Sequence, residues 1–278
     1  MSVQFLIPNQ DTMRKILSSA VLVLLAGGIL SSCTKNNSEP APGNRISQEA
    51  LDGIYNLGFS NKDVTLDEDG SYIVEGDISI SPKDLKTNPG YQLLRIANTE
   101  QYRTFNLVTG LPRVITVRVD SKLPSSYVAA TDEALSRYNA LGLRITFQRV
   151  SSNASITLVK GNGSYLASAG FPTSSGQPYN QVKVNSRAIG NQPQATVASI
   201  IAHEIGHCIG FRHTDYMDRS YSCGGSPTNE GASTVGAVYI PGTASGPDPN
   251  SWMLACIGSG DNRPFNANDR TALNYLYK

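Results

Sequence analysis

The stretch from Ala202 to Asp215 reads AHEIGHCIGFRHTD, and within it His203, Glu204, His207, Gly210 and His213 spell HExxHxxGxxH. The chain has no other histidine. Residues four apart share one face of a helix, so His203 and His207 can aim two imidazole nitrogens at one metal ion. Gly210 can adopt the left-handed backbone that ends a helix and turns the chain back, which returns His213 to the same ion. Three neutral imidazoles suit zinc and leave its fourth position for water, the pattern of a catalytic site rather than a structural one. Glu204 follows the first ligand, where its carboxylate can take a proton from that water. Upstream, Val197, Ile201, Ile205 and Cys208 fall at helical spacing and predict an apolar stripe, with His203 and His207 on the opposite side. Pro193 suits the first turn of that helix.

The extended motif resembles that of the metzincin zinc peptidases. HEIGHxxGFxH is especially similar to the astacins and to bacterial secreted peptidases described as the HEIGH metallopeptidase family. The resemblance implies an α+β zinc peptidase domain with a mixed twisted sheet, a long helix, an active-site helix, a methionine turn and a C-terminal helix. It also implies one catalytic Zn2+ and a protein or peptide substrate. Ser251, Trp252 and Met253 match the Ser-x-Met of the methionine turn, which places Met253 beneath the metal. Val74-Glu75-Gly76-Asp77-Ile78 resembles the FxGD motif of astacin propeptides, which implies that Asp77 binds the zinc in place of water. The chain would then be a zymogen, released by cleavage between roughly Ile80 and Arg113.

Two positions depart from the astacin pattern. Thr214 stands where astacins carry Glu after the third histidine, and Ala255 where they carry Tyr after the methionine. Neither the salt bridge to a mature N-terminus nor the assisting tyrosine carries over, and Tyr216 and Tyr221 are left as weak candidates for oxyanion stabilisation. The resemblance further implies an edge strand that pairs with extended substrate, assigned here to residues 181–185.

Composition narrows the partners. A formal net charge of +1 and 16% charged residues supply no electrostatic drive toward nucleic acid or anionic lipid. There is no internal repeat or heptad pattern, and the chain is expected to act as a monomer. Nothing in the sequence speaks to calcium.

Residues 1–33 read as an export signal. Basic Arg14 and Lys15 precede an apolar stretch too short to span a bilayer comfortably. That stretch ends in Leu30-Ser31-Ser32-Cys33, which resembles a bacterial lipobox and implies lipidation of Cys33 and an outer-membrane location. An ordinary signal peptide is the alternative. Residues 34–44 form a polar tether containing two prolines. Residues 45–111 are expected to form a small α+β pro-like segment, with a helix capped by Ser47 and stopped at Gly58 and a strand over residues 72–80. The zinc peptidase domain is expected over residues 112–278.

Within that domain VITVRV alternates as a half-buried strand, and residues 124–141 read as a helix with Val128, Leu135, Tyr138 and Leu141 inward. Strands follow at 143–150 and at Ile156 and Leu158. A last helix is capped by Asn266 or Asn268. Three cysteines remain beyond Cys33. A Cys223 to Cys256 disulfide is favoured because Cys208 sits on the apolar stripe, with three unpaired buried cysteines as the alternative. The sequence thus reads as an exported, lipid-anchored zinc endopeptidase with Glu204 as general base. The competing reading is a non-catalytic surface binding lipoprotein on the same scaffold.

Overall fold

The structure is a computed structural model and describes residues 46–57, 59–86, 101–231, 236–244 and 248–278. Cys33, the apolar stretch before it, the tether, Gly58 and part of the range expected to hold the cleavage site, residues 87–100, lie outside these residues. The chain opens with helix α1 (Gln48–Asn56), whose first turn is capped by the Ser47 hydroxyl accepting from the Ala50 N–H at 3.1 Å. Ile54 and Leu57 from this helix pack with Phe59, Val74, Ile78 and Ile80 in a small apolar cluster.

Three short strands follow: β1 (Thr65–Leu66), β2 (Tyr72–Val74) and β3 (Ile78–Ile80). The expected single strand over residues 72–80 is therefore a hairpin. Glu75 and Gly76 both have positive φ, 54° and 89°, so the backbone reverses there and sets Val74 against Ile78. Asp77 ends the turn.

After β4 (Tyr102–Arg103) comes β5 (Arg113–Val119), with Ile115 and Val117 fully buried and Val114 half exposed, as a strand with one face on a core requires. Helix α2 (Ser126–Asn139) turns Tyr127, Ala130, Ala134, Leu135 and Tyr138 inward, so the buried face starts at Tyr127 rather than at Val128. Next are β6 (Ile145–Arg149), β7 (Ile156–Lys160), β8 (Ala167–Ala169), β9 (Gln181–Val184), the short helix α3 (Ser186–Ile189) and helix α4 (Gln194–Cys208). The chain closes with α5 (Ser220–Cys223), β10 (Val238–Tyr239) and α6 (Ala267–Tyr277). Asn266, not Asn268, caps α6, in a reciprocal capping box with Asp269.

Eight strands form one mixed sheet in the order β1-β2-β3-β8-β9-β7-β5-β6. The pairs around β5 and β7 are parallel, whereas β8 runs antiparallel to β9. This corrects the assignment of residues 181–185 to an edge: β9 lies inside the sheet between β7 and β8. The strand at the border of the catalytic sheet is β8, and β3 covers its outer side through the parallel pair of Ile78 and Ala169.

Residues 45–278 form one compact unit, and strands from the N-terminal segment complete the sheet of the catalytic residues. The stretch 101–111, assigned by sequence to the N-terminal segment, is woven into the catalytic side. Gln101 is fully buried and donates to Asp269 at 2.7 Å and Ser251 at 3.2 Å, and β4 pairs with β10.

Candidate metal centre

Helix α4 is buried on nearly all its sides from Thr196 to Cys208, not along a single stripe, because α2 and the sheet pack on one side and the methionine turn on the other. Pro193 is its N-cap residue. His203 and His207 project from α4 one turn apart, with ring centroids 4.7 Å from each other. The helix ends at Ile209. Gly210 then takes φ 107°, and a Cβ there would lie 2.7 Å from Leu107 Cδ2 and 3.1 Å from the Asn106 carbonyl. Only glycine satisfies both the backbone and the space, and the bend brings His213 to within 4.8 Å of His207, ring to ring.

Each ring is oriented by a partner on its outer nitrogen. His203 Nδ1 lies 2.9 Å from the Trp252 carbonyl oxygen, His207 Nδ1 2.8 Å from that of Phe211, and His213 Nδ1 2.8 Å from Glu230 Oε1. With acceptors on all three Nδ1 atoms, those atoms carry the protons, and the three Nε2 lone pairs face inward. His207 Nε2 and His213 Nε2 stand 3.2 Å apart. Asp77 Oδ2 completes the group, 3.1 Å from His213 Nε2 and 3.6 Å from His203 Nε2. One ligand atom from each of these four residues lies within 4.8 Å of every other.

These residues fit a zinc ion. Inward lone pairs and a carboxylate oxygen crowded in a buried space repel unless a cation sits among them, and His203 Nε2 and Asp77 Oδ1 have no hydrogen-bond partner among the described residues. The electrostatics agree. Burial alone would raise Asp77, yet His213 and His203 hold it well below the usual carboxylate range. Burial alone would lower His213, yet Asp77 and Glu230 outweigh it and raise its affinity for a proton. Both shifts mark a point where positive charge is favoured. At His207 nothing outweighs burial and the neighbouring histidines, and it is pushed well below its ordinary value.

Glu204 is 3% exposed, with Oε2 lacking a hydrogen-bond partner among the described residues; burial first, then the charge of Asp77, pushes it well above the usual range. Met253 is fully buried beneath the histidines. A Cβ on Gly206 would meet its Sδ at 2.5 Å, which is the physical reason for the glycine within HEIGH. The Trp252 ring next to it packs edge-on against Phe211 and Phe265. Asp269 holds the turn to α6, accepting from the Ser251 hydroxyl at 2.9 Å and the Trp252 N–H at 3.2 Å. Cys223 and Cys256 form a disulfide that joins the loop after the third histidine to the methionine turn, while Cys208 is a buried free thiol. Asp215 spans the same junction, accepting from the Ala255 N–H at 2.9 Å and the Ser222 hydroxyl at 2.5 Å.

Three functional contacts escaped the sequence reading. Glu230 is the only acid between Asp218 and Asp248, a signal that could have marked it in an otherwise acid-free loop. Arg212 is fully buried and donates to Glu75 Oε2 at 3.1 Å, two residues before Asp77. Lys183 bonds Asp67 at 2.6 Å, Asp69 at 2.7 Å and Ser71 at 2.7 Å. Neither suggested tyrosine reaches the cavity beside Glu204: Tyr216 is buried edge-on against Tyr102, and Tyr221 is 44% exposed.

A family model described as dual-action HEIGH metallo-peptidase matches residues 73–277. No curated protein matches the chain. Among solved structures, one of myroilysin is similar at 18% identity and a TM-score of 0.42, over 63% of this chain and 98% of that one. A crystal structure of myroilysin is similar at 16% identity and 0.40, over 62% and 86%.

Proposed function

The chain belongs to the HEIGH metallo-peptidase family and is a zinc metallopeptidase, and from that premise we propose that it is an endopeptidase with Glu204 as general base, made as a latent precursor. The observation that carries this reading is the set of three inward Nε2 atoms, each ring locked from behind, with the buried Glu204 carboxylate beside them, whose Oε2 has no hydrogen-bond partner among the described residues. His203, His207 and His213 would hold the ion. When bound, it supplies Lewis acidity that lowers the pKa of water toward neutrality and polarises a carbonyl.

The chain's own residues do the rest. Glu204 takes a proton from the attacking water and delivers it to the leaving amine, a role that suits a carboxyl whose proton affinity burial has raised. Glu230, Trp252 and Phe211 keep the imidazole tautomers fixed while charge moves. Attack by water on the amide requires no covalent acyl-enzyme.

Latency rests on Asp77, whose carboxylate takes the fourth place in the cluster. The Arg212 to Glu75 pair and the hydrogen bond from Arg219 to the Glu75 carbonyl fix the hairpin turn that presents it, and β3 lies along β8. We further infer from Cys33 that the exported chain is lipid-anchored at the outer membrane. Cys33→Ser should abolish labelling by radioactive palmitate in cells, and undiminished labelling would remove the anchor.

Casein digestion tests the mechanism. Activated wild type should digest it, and Glu204→Gln, at equal zinc content, should lose roughly a hundred- to ten-thousandfold in rate by the usual worth of a general base. Equal rates would eliminate Glu204 as the base. In the uncleaved chain, Asp77→Ala should raise activity at matched zinc occupancy, and an unchanged rate would count against latency through this residue.

A further inference from the structure

Lys183 is a buried charge that plays no part in the reaction. It is 6% exposed and belongs to β9, where Val182 and Val184 join the core beneath α4. Alternation along the strand puts Lys183 on the opposite face of the sheet, with Ser168 of β8 directly across from it. Its ammonium reaches Asp67 at 2.6 Å, Asp69 at 2.7 Å and the Ser71 hydroxyl at 2.7 Å. Each of these acceptors belongs to the N-terminal segment.

The catalytic side supplies donors and no acid. From Ala134 to His203 the sequence holds neither Asp nor Glu, so β7, β8, β9 and the loops joining them bring no counter-charge for Lys183. The Tyr165 hydroxyl donates to Asp67 Oδ2 at 3.0 Å, and Asn162 Nδ2 donates to both carboxylate oxygens of Glu68 at 3.1 Å. Ser168 Oγ is fully buried and has no hydrogen-bond partner among the described residues. Lys183, Tyr165 and Asn162 thus hold three consecutive acids, Asp67, Glu68 and Asp69, side chain by side chain. An ammonium whose counter-charge must come from another segment favours any ligand that restores it.

In the uncleaved chain residues 67–71 fill this place. We propose that in the activated peptidase the same face is an exosite, at which Lys183, helped by Tyr165 and Asn162, captures an acidic stretch of the polypeptide substrate away from the bond being cut. The proposal rests on the peptidase reading and on loss of the N-terminal segment. It names a substrate class, proteins carrying two or three acidic residues in a row, for which Asp67-Glu68-Asp69 is the template. Ser164 and Tyr165 also line the cavity beside Glu204, so the loop 161–165 joins the cleft to the exosite and one extended polypeptide can engage both.

Binding is measured first, without turnover. The probe is a fluorescent heptapeptide of residues 66–72, Leu-Asp-Glu-Asp-Gly-Ser-Tyr, compared with a counterpart carrying Asn for Asp and Gln for Glu. Two forms of the protein present the face: the uncleaved chain with Asp67→Lys and Asp69→Lys, whose loop Lys183 repels, and the proteolytically cleaved chain freed of its N-terminal fragment. Fluorescence anisotropy should show the acidic peptide binding roughly ten- to a hundredfold more tightly than its counterpart, the worth of charged hydrogen bonds, and Lys183→Met should remove the difference. No binding to either form, equal binding of the two peptides, or a preference that survives Lys183→Met would overturn the proposal.

Turnover is measured second, on the activated chain. A peptide that it cuts is joined through flexible Gly-Ser linkers of several lengths to Asp-Glu-Asp or to Asn-Gln-Asn. The acidic version should have a KM about tenfold lower at unchanged kcat, and Lys183→Met should erase that gain while cutting the peptide without a tail at the wild-type rate. Equal KM for the two tails at every linker length would sink the exosite. Failure to cut any of these peptides would instead count against the peptidase reading and leave the binding result on the uncleaved variant to judge the site.

Discussion

The catalytic body and the N-terminal hairpin share one sheet but are held by different forces. In the body, β5, β7, β9, α2 and α4 enclose a continuous apolar core that includes Ile115, Val117, Leu158, Tyr138, Ile201 and Met253. The hairpin and α1 have only the small cluster around Ile54, Phe59 and Ile78 among the described residues, and are otherwise fastened by the short β3–β8 pairing and by charges: Lys183 to Asp67 and Asp69, Arg212 to Glu75, and Asp77 to the histidines. Apolar burial is non-directional and cumulative, whereas a buried ion pair has almost all its value in keeping both partners present. The first kind of attachment suits a permanent structure, and the second is the kind that the proposed removal of the hairpin would need to undo.

That contrast predicts where damage falls. Lys183→Met leaves Asp67 buried without its cation, which should weaken hairpin docking by about 3–5 kcal/mol. Hydrogen exchange should then quicken across residues 59–80 while α2 and α4 keep their protection. Uniform loosening of the whole chain would erase the distinction between the two regions.

Acidity should separate the regions as well, with opposite signs. Burial outweighs the donors around Asp269 and raises its pKa to about 6 from 3.8. A raised carboxyl favours the fold when protonated, so its contribution is full below pH 3.8 and is lost as the pH rises through 6, about 3 kcal/mol in all. Asp269→Asn should flatten the pH dependence of unfolding between 4 and 6, as urea titrations would show; an unaltered slope would contradict the buried environment described. At Asp69 burial is outweighed by Lys183 and Ser71, and the pKa falls to about 2, so its contribution is present above 3.8 and is lost as the pH drops through 2. Solvent screening keeps that effect small at an exposed side chain, but its direction loosens the hairpin in acid.

A smaller change probes the body alone. Gly206→Ala gains helix propensity but pushes a methyl into Met253 Sδ, a net loss of about 2 kcal/mol in global stability. Thermal unfolding of the uncleaved chain should register it, and a melting temperature equal to wild type would mean that the turn beneath the histidines is not closely packed.

Much of this contrast could not be read from the sequence. HExxHxxGxxH was legible because helical spacing and one glycine determine where three imidazoles go, and Ser251 to Met253 followed through family resemblance. The place of Asp77 beside the histidines was expected in the same way, but its hairpin was not, since VEGDI scans as one alternating strand until Glu75 takes positive φ. Residues 181–185 were read as a strand because Val182 and Val184 alternate with Lys183, and as an edge through family resemblance. Lys183 is in fact buried too, its charge met by acids more than a hundred residues earlier, and no local pattern records such a pairing. The true border strand, Ala167–Ala169, is too short and too weakly apolar to show any period. Glu230 and Arg212 were missed for the same reason, that charge pairing across distant loops leaves no periodic trace.

The central claim is that one ion is held by all three histidines, with Asp77 as the fourth ligand of the uncleaved chain. X-ray absorption at the zinc edge of the full-length protein tests it most directly. The account predicts one zinc per chain with three imidazoles and one carboxylate oxygen, and loss of that carboxylate contribution in Asp77→Ala. Zinc bound by fewer than three imidazoles, or no stoichiometric zinc at all, would contradict it.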